Sequence, residues 1–167
     1  MTMDLTAVLA VCRCLTQHGI VFWVDGGWGV DALLGEQTRP HADLDLAVRF
    51  ADLAGCAEAL AGLGYERTAT PESPHWNPVL RGPGGAVDLH GFTLDAHGNG
   101  ILGDTADGAV YPAGSLAGAG LLGGENVHCI AAEHVLQFRG SFEPREVDRL
   151  DVAALCERFR LSRPSRF

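Results

Sequence analysis

Asp43-Leu44-Asp45 lies within Ala42-Asp43-Leu44-Asp45-Leu46-Ala47-Val48, where polar and apolar residues alternate with a period of two. In a strand, alternate residues point to the same face, so both carboxylates emerge on one side, about 7 Å apart along the backbone. Two like charges that close repel each other, and a buried apolar face would not tolerate them. A divalent cation relieves the repulsion, and Mg²⁺ takes one or two carboxylates together with substrate phosphates. A pair of aspartates simply facing solvent satisfies the same alternation. Upstream, Gly26-Gly27 follows a short apolar run and precedes a helical pattern from Trp28. Two glycines let backbone come close to a phosphate, and N–H groups at a helix start can bind its oxygens. An ordinary strand-to-helix turn uses the same pair. Downstream, Val87-Asp88-Leu89-His90 alternates again and puts Asp88 on the polar face of another strand. A third carboxylate beside a metal site is suited to accept a proton from an attacking hydroxyl.

Several further residues have chemistry to offer. Arg39 and His41 flank the paired aspartates and could contact phosphate, although a polar loop has such residues in any case. His90 shares the face of Asp88, as a ligand-positioning or a solvent-facing group. Trp28 either packs its helix on the sheet or stacks on a base. Asp25 reads as a turn former and Asp31 as a helix-surface charge. His75-Trp76 and the segment Asp95-Ala96-His97-Gly98-Asn99 read as loops near a cleft. Glu143, Glu146 and Asp148 read as a solvated helix face.

Positioning these residues takes a recognisable series of elements. Apolar residues at helical spacing from Leu5 to Leu15 predict a first helix, which Gly19 stops. Ile20–Val24 predicts a buried strand, and Trp28–Leu34 a helix ending at Gly35. A helix is expected over 52–63, closed by Gly64, with strands over 65–69, 79–81 and 86–91. Residues 93–124 show little periodicity and are expected to form loops and short strands. After Val127-His128-Cys129-Ile130 a helix is expected over 131–139, and a last helix begun by Pro144 completes the series. The expected organisation is one α+β domain spanning 1–167, a mixed sheet with a helical C-terminal part.

The composition is that of a globular chain, 47% hydrophobic and 20% charged, with no apolar run near membrane-spanning length. The N-terminus lacks a signal-peptide pattern, so a cytoplasmic location is expected. Five scattered cysteines include no CxxC pair and suggest neither a zinc site nor a disulfide framework. A net charge of −9 argues against nucleic acid and suits cations. All twelve basic residues are arginine. A P-loop lysine and a Schiff-base lysine are thereby excluded. A triphosphate would have to be managed by metal, arginine and backbone N–H groups.

The residues Trp23 to Gly35, then Thr38-Arg39, His41 and Asp43-Leu44-Asp45, resemble the lincosamide and aminoglycoside nucleotidyltransferases of the DNA polymerase β-like superfamily. Val87-Asp88-Leu89-His90, Cys129 to Glu133 and Asp148 to Phe159 extend the similarity. The resemblance implies a nucleotidyltransferase fold that binds Mg²⁺ and ATP or another nucleoside triphosphate. Asp43 and Asp45 match the paired metal ligands, and Asp88 the third carboxylate, both ligand and general base. Gly26, Gly27 and Trp28 match the phosphate turn, where many superfamily members have Gly-Ser, so that backbone donors, Arg39 and His41 would replace the serine. The implied reaction moves a nucleoside monophosphate onto a hydroxyl of a small, cationic acceptor such as an aminoglycoside- or lincosamide-like antibiotic, giving resistance. A homodimer is a compatible assembly; no nucleic acid or membrane partner is expected. The alternatives are the same fold recruited for natural-product tailoring, or a non-catalytic binding or antitoxin-like module.

Overall fold

The structure, a computed structural model, describes residues 2–68, 74–103 and 110–167. Helix α1 (Leu5–Gln17) starts at Asp4, whose carboxylate accepts from the Ala7 N–H, and buries Val8, Val11, Cys12 and Leu15. Strand β1 (Phe22–Val24) leads into α2 (Gly26–Leu34), which ends at Gly35 in the left-handed conformation. The two glycines therefore form the first turn of the helix itself. Strand β2 (Asp43–Arg49) follows, then a short 3-10 turn and α3 (Leu53–Ala61). Next come β3 (Glu66–Arg67), β4 (Val79–Gly82) and the long β5 (Gly85–Leu94).

The weakly periodic stretch contributes β6 (Gly100–Leu102), β7 (Val110–Tyr111) and β8 (Gly118–Leu122), with residues 104–109 outside the described part. Likewise Ala69, the expected end of the third strand, lies outside it. Strand β9 (Glu125–Cys129) precedes α4 (Ala132–Arg139) and α5 (Glu146–Phe159). Pro144 does not begin the last helix. That helix starts two residues later, where the Asp148 carboxylate turns back to the Arg145 N–H and closes a capping box.

The described strands form one mixed sheet in the order β3-β4-β5-β2-β1-β9-β8, with β6 and β7 continuing from β5. Strands β2 and β5 are parallel and central, in a register that pairs Asp43 with Ala86, Asp45 with Asp88 and Ala47 with His90. Partners across a ladder share a face, so Asp43, Asp45, Asp88 and His90 all point to the same side. Leu44, Leu46, Val48, Val87 and Leu89 point to the other and are fully buried. This apolar face locks the register, because a one-residue slip of β2 would turn Leu44, Leu46 and Val48 outward and its aspartates inward. Among the described residues no helix is long and apolar enough to cross a membrane.

Candidate active site

The carboxylate face of β2 and β5 opens into a cleft of about 440 Å³. Asp25, Gly26, Gly27, Asp43, Asp45 and His90 line it on the sheet side, and Val135, Phe138, Arg139, Phe142, Arg145 and Val147 on the side of α4 and α5. Among the described residues, Asp45, Asp88 and His90 each bring one ligand atom within 4.8 Å of the others, and could together hold a metal ion. Asp43 stands one register step behind on the same face. Burial raises the Asp43 carboxyl above its usual range, and the charge of Asp45 raises it further. Burial likewise raises Asp88, with Asp45 and Asp43 adding to the shift while His90 and Asn77 oppose it. This is the mutual repulsion expected of clustered carboxylates. A set that is mostly carboxylate oxygen fits a hard cation such as Mg²⁺.

Two neighbours organise the carboxylates. His90 Nε2 lies 3.5 Å from Asp45 Oδ1. Burial disfavours the His90 cation, but the Asp45 hydrogen bond and the charges of Asp25, Asp45 and Asp88 outweigh it and raise the pKa. Asn77, just before β4, donates from Nδ2 to Asp88 Oδ1 and, at 3.1 Å, to the Leu89 carbonyl. Its amide fixes the Asp88 rotamer from outside the strand. Nothing in the local sequence marks Asn77 for this role, since it arrives from eleven residues upstream through the sheet.

Asp25 caps α2 by accepting from the Gly26 N–H at 2.7 Å, and its second oxygen accepts from the Tyr111 hydroxyl at 2.9 Å. Burial raises the Asp25 carboxyl, and Asp45 contributes to the shift. The same burial, with Asp25 adjacent, holds the Tyr111 phenol well above its ordinary value. Gly26 has φ +58, and a Cβ there would lie 1.9 Å from Asp45 Oδ2. A Cβ on Gly27 would lie 2.2 Å from His41 Nδ1. The glycines therefore make room for the two side chains that stand against the helix start. The N–H groups of Gly27 and Trp28 lie in the first turn, where a helix has no acceptor of its own.

The remaining sequence candidates separate. Arg39 and His41 line the cleft, and Asp25 is built into it as the helix cap. Trp28 is 1% exposed, with its ring 4.8 Å from that of His41. Its side chain belongs to the core, and only its backbone belongs to the helix start. Asp31 is not a helix-surface charge. It is fully buried, accepting from the Thr38 N–H at 3.1 Å, the Thr38 hydroxyl at 2.7 Å and His41 Nε2 at 2.5 Å. Asp148 is not on a solvated face either. It is fully buried between Arg139 and Arg145, whereas Glu143 and Glu146 are exposed. Asp95 accepts from the His97 and Asn99 N–H groups, both at 2.8 Å, and so closes the β5–β6 turn.

Comparison with known proteins agrees with this geometry. The profile of the aminoglycoside-2''-adenylyltransferase family matches residues 7–155. A lincosamide resistance protein of Staphylococcus haemolyticus is 26% identical over 140 residues, covering 81% of this chain and 84% of that protein. The crystal structure of the lincosamide antibiotic adenylyltransferase LnuA, lincomycin-bound, superposes with a TM-score of 0.78 at 22% identity, over 93% of this chain and 98% of that one. The crystal structure of ANT(2")-Ia in complex with adenylyl-2"-tobramycin gives a TM-score of 0.71 at 19% identity, over 93% and 88% of the two chains. The fold is that of the nucleotidyltransferases.

Proposed function

The chain belongs to the aminoglycoside-2''-adenylyltransferase family of nucleotidyltransferases, and from that premise we propose that it moves an adenylyl group from MgATP to a hydroxyl of an antibiotic of lincosamide or aminoglycoside type. The observation that carries this reading is the in-register pairing of Asp45, which lines the cleft beside the glycine start of α2, with Asp88 on the neighbouring strand. Asp45 and Asp88 would hold the metal beside His90, with Asp43 next along the same face as a further carboxylate. When bound, Mg²⁺ supplies charge neutralisation for the phosphates and for the oxygens that attack and leave.

The protein's own groups do the rest. The Gly27 and Trp28 N–H groups and Arg39 bind phosphate oxygens, and the positive end of the α2 dipole favours them there. Asp88 receives the proton of the acceptor hydroxyl. The hydroxyl oxygen bonds to the α-phosphorus, the bond to the bridging oxygen of the β-phosphate breaks, and pyrophosphate departs. Asn77 keeps Asp88 aimed, and Tyr111 with Asp25 keeps the helix start in place. An acceptor bearing an amine suits a cleft whose sheet side is lined by Asp25, Asp43 and Asp45. Use of ATP as donor is consistent with a cytoplasmic site of action.

The test is incubation with MgATP and a panel of lincosamides and aminoglycosides, following pyrophosphate release and the gain of one adenylyl mass on the drug. Asp88→Asn should retain the wild-type circular dichroism spectrum and lose product formation by at least about a hundredfold. Normal turnover in that variant would rule out the assignment.

A further inference from the structure

We propose that Asp151, on α5, is a positioning residue: with His41 and Asp31 it turns the Arg39 guanidinium toward the β- and γ-phosphates of a nucleoside triphosphate. The inference rests on the nucleotidyl-transfer reading above. Arg39 Nε donates to Asp151 Oδ1 at 3.1 Å and Nη2 donates to Oδ2 at 2.9 Å, a two-point clamp on one edge of the planar group. Nη1 lies 3.0 Å from His41 Nδ1. A guanidinium can only donate, so Nδ1 accepts and the ring proton sits on Nε2, where it meets Asp31 Oδ2. Three of the five guanidinium N–H groups are thereby engaged. One N–H on each terminal nitrogen is left over.

Those remaining donors are well placed for an anion. Arg39 lines the cleft with its side chain 23% exposed, while the Asp151 side chain behind it is 3% exposed. A Cβ on Gly27 would lie 3.1 Å from Arg39 Nη2, so the guanidinium stands against the first turn of α2. Arginine donors and helix N–H donors therefore converge on one spot beside the carboxylate face. Behind this spot the charges alternate. Asp151 Oδ2 also accepts from Arg139 Nη2 at 3.0 Å, and Asp148 bridges Arg139 and Arg145. Arg39, Arg139 and Arg145 thus alternate with the buried carboxylates of Asp31, Asp148 and Asp151, which hold the guanidinium groups fixed along the cleft wall. In a chain without lysine, this is how a fixed cation is presented to a polyanion.

A purely structural ion pair and a positioning device differ in what they do to ligands of different length. Titration calorimetry with the α,β-methylene analogue of ATP and with AMP, both in excess Mg²⁺, separates them. Asp151→Asn is expected to weaken the triphosphate analogue about tenfold, the scale of one charge-assisted hydrogen bond, while AMP stays within about twofold. Arg39→Gln should show the same selective loss. The double variant should lose no more than Arg39→Gln alone, because Asp151 acts through Arg39. Equal weakening of both nucleotides, unchanged triphosphate affinity in Asp151→Asn, or additive losses in the double variant would each overturn the inference. If Asp151→Asn fails to fold, Arg39→Gln decides: an unchanged preference for triphosphate over AMP overturns it. Wild-type protein that binds neither nucleotide overturns the nucleotidyl-transfer reading and this inference with it.

Discussion

Replacing Gly26 by alanine tests whether the glycine start of α2 exists to accommodate the Asp45 carboxylate. Two separate effects act at this position. The backbone has φ +58, where an L side chain costs roughly 1–2 kcal/mol. The added methyl would also lie 1.9 Å from Asp45 Oδ2, 2.8 Å from its Cγ and 3.2 Å from its Cβ. Forcing an atom into occupied space of this kind costs about 1–3 kcal/mol more. Gly35, at the other end of the same helix, separates the two effects. It has φ +81, but a Cβ there meets nothing within 4 Å. Gly35→Ala should therefore lose about 1–2 kcal/mol and retain wild-type turnover. Gly26→Ala should lose about 2–5 kcal/mol, the sum of both effects. It must also swing Asp45 away from Asp88 and His90. A displacement of about 1 Å in a reacting assembly can reduce turnover about a hundredfold. Urea unfolding gives the two stabilities, and pyrophosphate release with MgATP and a drug acceptor gives the two rates. Equal stability losses in the two variants, or a Gly26→Ala rate within a few-fold of wild type, would refute the reasoning.

The other expectations concern the helical part and the thiols. Burial opposes ionisation of Asp148, but the hydrogen bonds of Arg145 and the charge of Arg139 outweigh it and hold the carboxyl at about 2. Since the folded value lies below the unfolded one, this group contributes stability above about pH 4 that is lost as pH falls toward 2, about 2 kcal/mol in all. The stability gap between wild type and Asp148→Asn should shrink between pH 5 and pH 3 in urea titrations; a gap independent of pH would contradict it. The five cysteines are free, and burial pushes the Cys12, Cys56 and Cys129 thiols up to about 12. Cys156 is buried as well, whereas Cys14 is half-buried. Ellman's reagent should therefore react first with about one thiol in native protein and with all five in denaturant; rapid native reaction of several would show that the core opens readily.

Much of the site was legible in the chain because strand geometry is local. Alternation alone put Asp43 and Asp45 on one face and Asp88 and His90 on another, and the glycine pair marked the helix start that adjoins them. The resemblance to nucleotidyltransferases then united three separated segments, and in the sheet two of them lie side by side, Asp45 paired with Asp88. The expected α+β architecture agrees with the mixed sheet and its C-terminal helices.

Long-range partners had no local signature. Asp31 and Asp148 read as surface charges because a carboxylate on a helix is usually solvated. Both are buried: His41 and Thr38 approach Asp31, and Arg139 approaches Asp148, from outside their helices, while Arg145 caps the helix that carries Asp148. Tyr111 reaches Asp25 from 86 residues away, and Asp151 reaches Arg39 from 112. Periodicity fixes which side of an element a residue occupies, and it did so here for the carboxylates that face the cleft. Which charges meet across elements depends on how the layers pack. Only the tertiary structure could decide that Arg39, Arg139 and Arg145 would be clamped by buried aspartates at one wall of the cleft.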